Sequence, residues 1–205
     1  MKVIGLCGGS GSGKGTVANM FLQYGIPCID TDALYHDLTS KKTSCVEALC
    51  SEFGEGILNS DGSIDRKALA DIVFFGEDSS LKREALNRIS HKYVLDEACK
   101  ILSEYKNGGF AAVLVDAPLL FESGFDEKCD FVIAVVAKKE IRLSRIIERD
   151  KISEEKALRR IESQLPDEYL MQRARYVISN SGALSDTRLS VDAIAKEILN
   201  FSKGE

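Results

Sequence analysis

Gly8-Gly9-Ser10-Gly11-Ser12-Gly13-Lys14-Gly15-Thr16 sets four residues between Gly8 and Gly13 and a lysine directly after them. That is the spacing of a P-loop, a cradle for a polyphosphate. Glycines let successive backbone N–H groups turn toward phosphate oxygens, and a side chain would block that approach. A helix starting near Gly13 adds the positive end of its dipole, and Lys14 reaches the outer phosphates. Gly9, Gly11, Ser12, Gly13, Lys14, Gly15 and Thr16 are therefore the expected phosphate-binding set. One residue departs from the usual pattern: Gly15 stands where a serine or threonine would put its hydroxyl on Mg²⁺. Thr16 carries the next hydroxyl and is expected to touch a phosphate oxygen, with the metal held indirectly through water.

Further candidates lie where a strand would end. Asp30 and Asp32 follow Ile26-Pro27-Cys28-Ile29, and Asp116 follows Ala111-Ala112-Val113-Leu114-Val115. In open α/β sheets the ligand crevice lies outside the carboxyl ends of the strands. Asp30 is either a helix cap or a site residue. Asp32 is expected to orient an acceptor hydroxyl, a modest demand because phosphoryl transfer is largely dissociative. Asp116 either caps the loop that follows it or acts as a second acid, holding Mg²⁺ through water or bonding the acceptor. Arg142, Arg145 and Arg149 recur at i, i+3 and i+7 and share one helical face, which is either solvated or clamps phosphates. His36 and His91 sit in no nucleophile motif, and no Asn-Lys-x-Asp occurs to specify guanine.

The elements that must position these residues are legible in the hydrophobic pattern. Val3-Ile4-Gly5-Leu6-Cys7 precedes the loop as a strand, and Val17 to Leu22 continue it as a helix over about 13–23. Helices are expected over 33–53, from Asp65-Arg66 onward, and through Leu81 to Ile101, where Asn107-Gly108-Gly109 stops the chain. Runs apolar on both faces at 111–115 and 131–136, with 176–179, complete five strands of a covered parallel sheet. Helices are expected over about 139–150, after a Ser153 cap, and over 186–201. A net charge of −5 argues against a nucleic-acid partner and makes any anion site local. Six scattered cysteines without zinc spacing, and no long apolar run, predict a soluble protein of a reducing compartment with no membrane association.

The chain also resembles the dephospho-CoA kinase family along most of its length. The stretches that carry the likeness are Gly8 to Thr16, Pro27 to Asp32, Asp61 to Arg66, Leu86-Asn87 with His91, and Asp116-Ala117-Pro118-Leu119-Leu120-Phe121-Glu122. To these are added Arg145 with Arg149-Asp150, Arg160-Ile161 with Gln164, and Val177-Ile178-Ser179-Asn180 with Gly182. The resemblance implies a P-loop NTPase-type three-layer α/β fold with a five-stranded parallel sheet, a helical acceptor-binding insertion and a lid. It implies one kinase domain, with a core over about 1–32, 106–139 and 171–205, an acceptor-binding region over 33–105 and a lid over 140–170. The implied reaction is phosphorylation of the ribose 3′-hydroxyl of dephospho-CoA by ATP with Mg²⁺, in the cytoplasm, by a monomer. Asp32, Lys14 and Arg145 match the family's catalytic positions, and Arg149, Asn180 and Gly182 its nucleotide side. Arg66, His91, Asp116, Leu120, Phe121 and Glu122 match its acceptor side. Lys92 replaces the proline that usually follows the histidine. The alternatives are another small-molecule or nucleotide kinase like adenylate kinase, and a nucleotide-binding switch without transfer.

Overall fold

The computed structural model describes residues 1–75 and 78–201. Residues 202–205 of the expected core, and 76–77 of the expected acceptor region, lie outside them. In chain order the elements are β1 (Lys2–Cys7), α1 (Lys14–Leu22), β2 (Cys28–Asp30), α2 (Thr31–Thr39), α3 (Ser44–Phe53), α4 (Arg66–Phe74), α5 (Ser79–Asn107), β3 (Ala112–Asp116), β4 (Phe131–Val136), α6 (Lys139–Asp150), α7 (Glu154–Glu162), α8 (Asp167–Arg173), β5 (Tyr176–Ser179) and α9 (Leu184–Phe201). The chain divides into two compact units, residues 1–30 with 102–205 and residues 31–101.

In the first unit the five strands form one parallel sheet in the order β2-β3-β1-β4-β5. The chain leaves β1 toward β2 on one side and leaves β3 toward β4 on the other. The crevice this creates lies beyond the carboxyl ends of β1 and β3, where Leu6 and Asp116 are register partners. Ile4, Leu6, Leu114, Ile133, Val135 and Ile178 bury one sheet face under α1 and α9. On the opposite face Gly5 admits Leu120, whose Cδ2 lies 2.8 Å from where a β-carbon would stand.

The second unit is helical and has its own core of Cys45, Val46, Leu49, Ile57, Ile64, Leu69 and Val73. The single helix expected over 33–53 is two helices. Thr39 turns its hydroxyl back on Tyr35 O at 2.7 Å, and Thr43 caps α3 by accepting from Val46 N at 3.2 Å. Local hydroxyl bonds of this kind compete with the helical ladder and break it there. Strand β2 begins later than expected because Pro27 has no N–H, although its carbonyl still accepts from Leu114 N at 2.8 Å. α2 starts at Thr31, so Asp32 lies in the first turn of a helix. α5 runs unbroken through Lys92, which keeps the N–H a proline would lack.

All six cysteines are free thiols. Burial pushes Cys7, Cys28 and Cys129 up to about 12 and Cys45 up to about 11. An unfolded thiol ionises near 9, so the unfolded state loses protons first as pH rises. The stabilisation is complete below that value and is lost between it and 12, by about 1 kcal/mol per thiol at pH 10. The urea midpoint should therefore fall from pH 8 to pH 10, and Cys129→Ala should fall less steeply; an identical slope in that variant would contradict the assignment.

Candidate functional site

The loop between β1 and α1 has four of its carbonyl oxygens held by donors from outside it. Lys14 Nζ donates to Gly8 O at 3.0 Å, and Arg142 Nε to Ser10 O at 2.9 Å. Arg145 Nη1 donates to Gly11 O at 3.1 Å, and Asn180 Nδ2 to Ser12 O at 2.8 Å. A peptide whose C=O is drawn one way presents its N–H the other way, so the donors on Gly8, Ser10 and Ser12 turn the N–H groups of Gly9, Gly11 and Gly13 toward an anion, while the Ser12 N–H closes the loop on Gly9 O at 3.0 Å. The first N–H groups of α1 have no intrahelical partners and add to it. Two guanidinium groups and an ammonium around one loop give an acidic protein a local positive field.

Close packing explains the glycines better than phosphate access alone. A β-carbon at Gly9 would lie 2.0 Å from Arg142 Nη2, and one at Gly13 would lie 2.1 Å from Asn180 Nδ2. Gly13 also has φ 95°, in the left-handed region. Gly15 is different, because a side chain there would meet nothing within 4 Å. The missing serine is thus not excluded by space.

At the mouth of the crevice Lys14 Nζ faces Asp116 Oδ1 as an ion pair at 3.7 Å. Mg²⁺ keeps several waters and takes one or two carboxylates together with substrate phosphates. Asp116 and the exposed hydroxyl of Thr16 fit such an ion arriving with a nucleotide. Among the described residues no group of three or more Asp, Glu, His or Cys could hold a metal alone.

The arginine stripe is not one solvated face. Arg142 is 5% exposed and Arg145 is half-buried, with Nη2 donating to Asn180 O at 3.0 Å. Arg149 is exposed and bonds Asp150 at 2.7 and 3.0 Å, while Asp150 also takes Arg160. The Arg149 hydrogen bond holds the Asp150 carboxyl below its usual range. Asn180 is 4% exposed and accepts from Thr187 Oγ1 at 3.1 Å, so its side chain braces the loop; Gly182 is exposed in the turn beside it.

Beyond β3, Leu120 is buried in the core, Phe121 is half-buried and Glu122 is exposed. A cleft runs between Gly8-Gly9, Pro118 to Glu122, and Ser163 to Leu165. Phe121 meets Tyr169 edge-on at 5.7 Å, with the Arg173 guanidinium 5.6 Å from its ring centre. In the helical unit Asp32 is exposed, His91 is half-buried on α5, and Arg66 Nη2 lies 2.7 Å from His36 Nδ1. The sequence reading assigned nothing to Gln164, Asp167 or Asn180 as braces for the loop. Their only signal was glycine at positions 9, 11 and 13, and α8 was missed although Pro166-Asp167-Glu168 is a helix-start pattern.

A parallel sheet in this order, with a braced P-loop after its central strand and an acid after its neighbour, defines a P-loop kinase. The dephospho-CoA kinase family model matches residues 2–186, and the chain belongs to that family. A dephospho-CoA kinase from Fusobacterium nucleatum is 41% identical over 198 residues, 97% of this chain and 99% of that protein. One from Bacillus cereus is 38% identical over 194 residues, covering 95% and 96%. Among solved structures, TT1252 from Thermus thermophilus superposes with a TM-score of 0.80 at 32% identity, covering 96% and 97% of the two chains. The dephospho-CoA kinase from Campylobacter jejuni gives 0.71 at 28%, covering 98% of each. The three-layer α/β fold expected from the sequence is the fold found.

Gly13→Ala is expected to cost about 2 kcal/mol of stability and to weaken ATP binding at least tenfold by calorimetry. Gly15→Ser should leave stability unchanged to within about 0.5 kcal/mol. A tolerated Gly13→Ala would contradict the account of the loop.

Proposed function

We propose that the protein transfers the γ-phosphoryl group of ATP to the ribose 3′-hydroxyl of dephospho-CoA, giving coenzyme A and ADP. The observation that carries this reading is the P-loop with its carbonyls drawn outward, in a chain matched to the family over residues 2–186. The loop and the start of α1 take the phosphates of ATP, with Gly9, Gly11, Ser12, Gly13, Gly15 and Thr16 as its surface. Lys14, kept in place by Gly8 O, exchanges Asp116 for the outer phosphate oxygens, where its charge counters the charge that builds on the transferring group. Arg145, seated against Gly11 and Asn180, adds a second positive charge from behind the loop. Arg149, Asn180 and Gly182 lie on the nucleotide side.

Asp32 holds the acceptor hydroxyl and accepts its proton late, as suits a loose transition state. Arg66 and His91 contact the acceptor from the helical region of about 33–105, and Asp116, Leu120, Phe121 and Glu122 shape the loop that receives it. Residues of about 140–170 form the lid over a core of about 1–32, 106–139 and 171–205. Mg²⁺, held through water by Asp116 and Thr16 and directly by the phosphates, would neutralise phosphate charge. The protein acts as a cytoplasmic monomer, without nucleic-acid or membrane partners. Among the described residues no helix is long and apolar enough to cross a membrane.

The test is ADP release from Mg·ATP with dephospho-CoA, beside adenosine, AMP and no acceptor, the product being weighed by mass spectrometry. Release with dephospho-CoA alone and a product one phosphate heavier is expected; equal release with AMP would point to a different acceptor. Lys14→Ala and Asp32→Asn should each lower kcat by about 100-fold or more, and full turnover in folded Asp32→Asn would remove its role. Arg145→Ala should lose mainly kcat, and a change confined to KM for ATP would contradict a role for its charge in the transition state.

A further inference from the structure

We infer that Arg142 is a positioning residue for phosphoryl transfer, holding the tip of the P-loop in its phosphate-binding shape through Ser10. The inference rests on the reading that this loop holds ATP. Arg142 lies on α6, is 5% exposed, and uses its whole fork. Nε donates to Ser10 O at 2.9 Å, Nη1 to Asp167 Oδ1 at 3.0 Å, and Nη2 to Gln164 Oε1 at 3.1 Å. Gln164 completes the arrangement. Its Oε1 also accepts from Ser10 N at 2.8 Å, and its Nε2 donates to Ser10 Oγ at 3.2 Å.

Every polar atom of Ser10 is therefore tied to two side chains from outside the loop. A guanidinium is costly to bury and persists only where its donors are met and its charge is balanced, as Asp167 balances it here. A lysine could reach one of these acceptors but could not span all three. The Ser10 N–H is turned away to Gln164, which pins the outer arm of the loop while the N–H groups at the start of α1 serve the phosphates.

Gly9 ties the loop's sequence to this arginine. The three atoms nearest a β-carbon at position 9 all belong to Arg142, at 2.0, 2.6 and 3.1 Å. Gly9 is not among the glycines with positive φ, so its backbone does not itself demand glycine, and what an alanine there meets first is the guanidinium. Gly11 differs, since a side chain there meets the Arg142 backbone and φ is 77°. A mere tie between α6 and α8 would not require Gly9 and Arg142 to act as a pair.

The experiment measures kcat and KM for both substrates, ATP affinity by calorimetry without acceptor, and thermal denaturation. The variants are Arg142→Ala, Arg142→Lys, Gly9→Ala and Gly9→Ala/Arg142→Ala, compared with wild type at a temperature where all are folded. Arg142→Ala is expected to lose about 10- to 100-fold in kcat/KM for ATP, and Arg142→Lys not to restore it. Gly9→Ala should lose comparably, and the double variant should be no worse than Arg142→Ala alone, because contacting residues are not additive. Should Arg142→Ala not fold, Arg142→Ala/Asp167→Asn, which removes the unbalanced carboxylate, takes its place in the cycle. Wild-type kcat/KM in a folded Arg142→Ala, or losses that multiply in the double variant, would overturn the inference. A wild-type protein that binds no ATP would instead overturn the kinase reading beneath it.

Discussion

A peptide loop can offer a row of N–H groups to an anion only if its carbonyl oxygens are satisfied elsewhere. The rest of this structure depends on that constraint. Gly8, Ser10, Gly11 and Ser12 hand their carbonyls to Lys14, Arg142, Arg145 and Asn180. The donors come from the loop's own helix, from α6 and from the turn after β5, and only the parallel sheet brings these places together. The loop is thus a product of the fold around it as much as of its glycines.

The same donors create the electrostatics the chemistry needs. The chain carries a net charge of −5, yet two arginines and a lysine converge on one loop. Asp116 tempers that field at its mouth and is drawn there by Lys14. An arginine behind the loop also differs from one in solvent: Arg149 is met by Asp150 at the surface, whereas Arg145 is spent on backbone and Arg142 on Ser10 O, Asp167 and Gln164. The i, i+3, i+7 spacing that made the three look alike does not report what lies opposite each of them.

The α/β class, the five strands, the Ser153 cap and the long α5 were legible because each rests on a local pattern of apolar period, cap or stop residue. The break between α2 and α3 was not, because hydroxyl bonding by Thr39 and Thr43 defeats a helical period without altering it. α8 was missed because seven residues show too little periodicity to stand out. In the site, Lys14 and the strand-end acids were visible from their places after strands. Gln164 and Asp167 were not, since Gln164 meets Ser10 across 154 residues of chain and Asp167 serves the loop only through Arg142.

The sequence by itself determined that a polyphosphate cradle exists, which strand it follows and which family pattern it belongs to, because these are properties of contiguous residues. Only the tertiary structure decided why positions 9 and 13 must be glycine, which arginine of the stripe is buried, and what holds Ser10 and Ser12. The physical reason is that close approach is a property of surfaces far apart in the chain. A guanidinium 2.0 Å from a missing β-carbon leaves no mark on its neighbours in sequence.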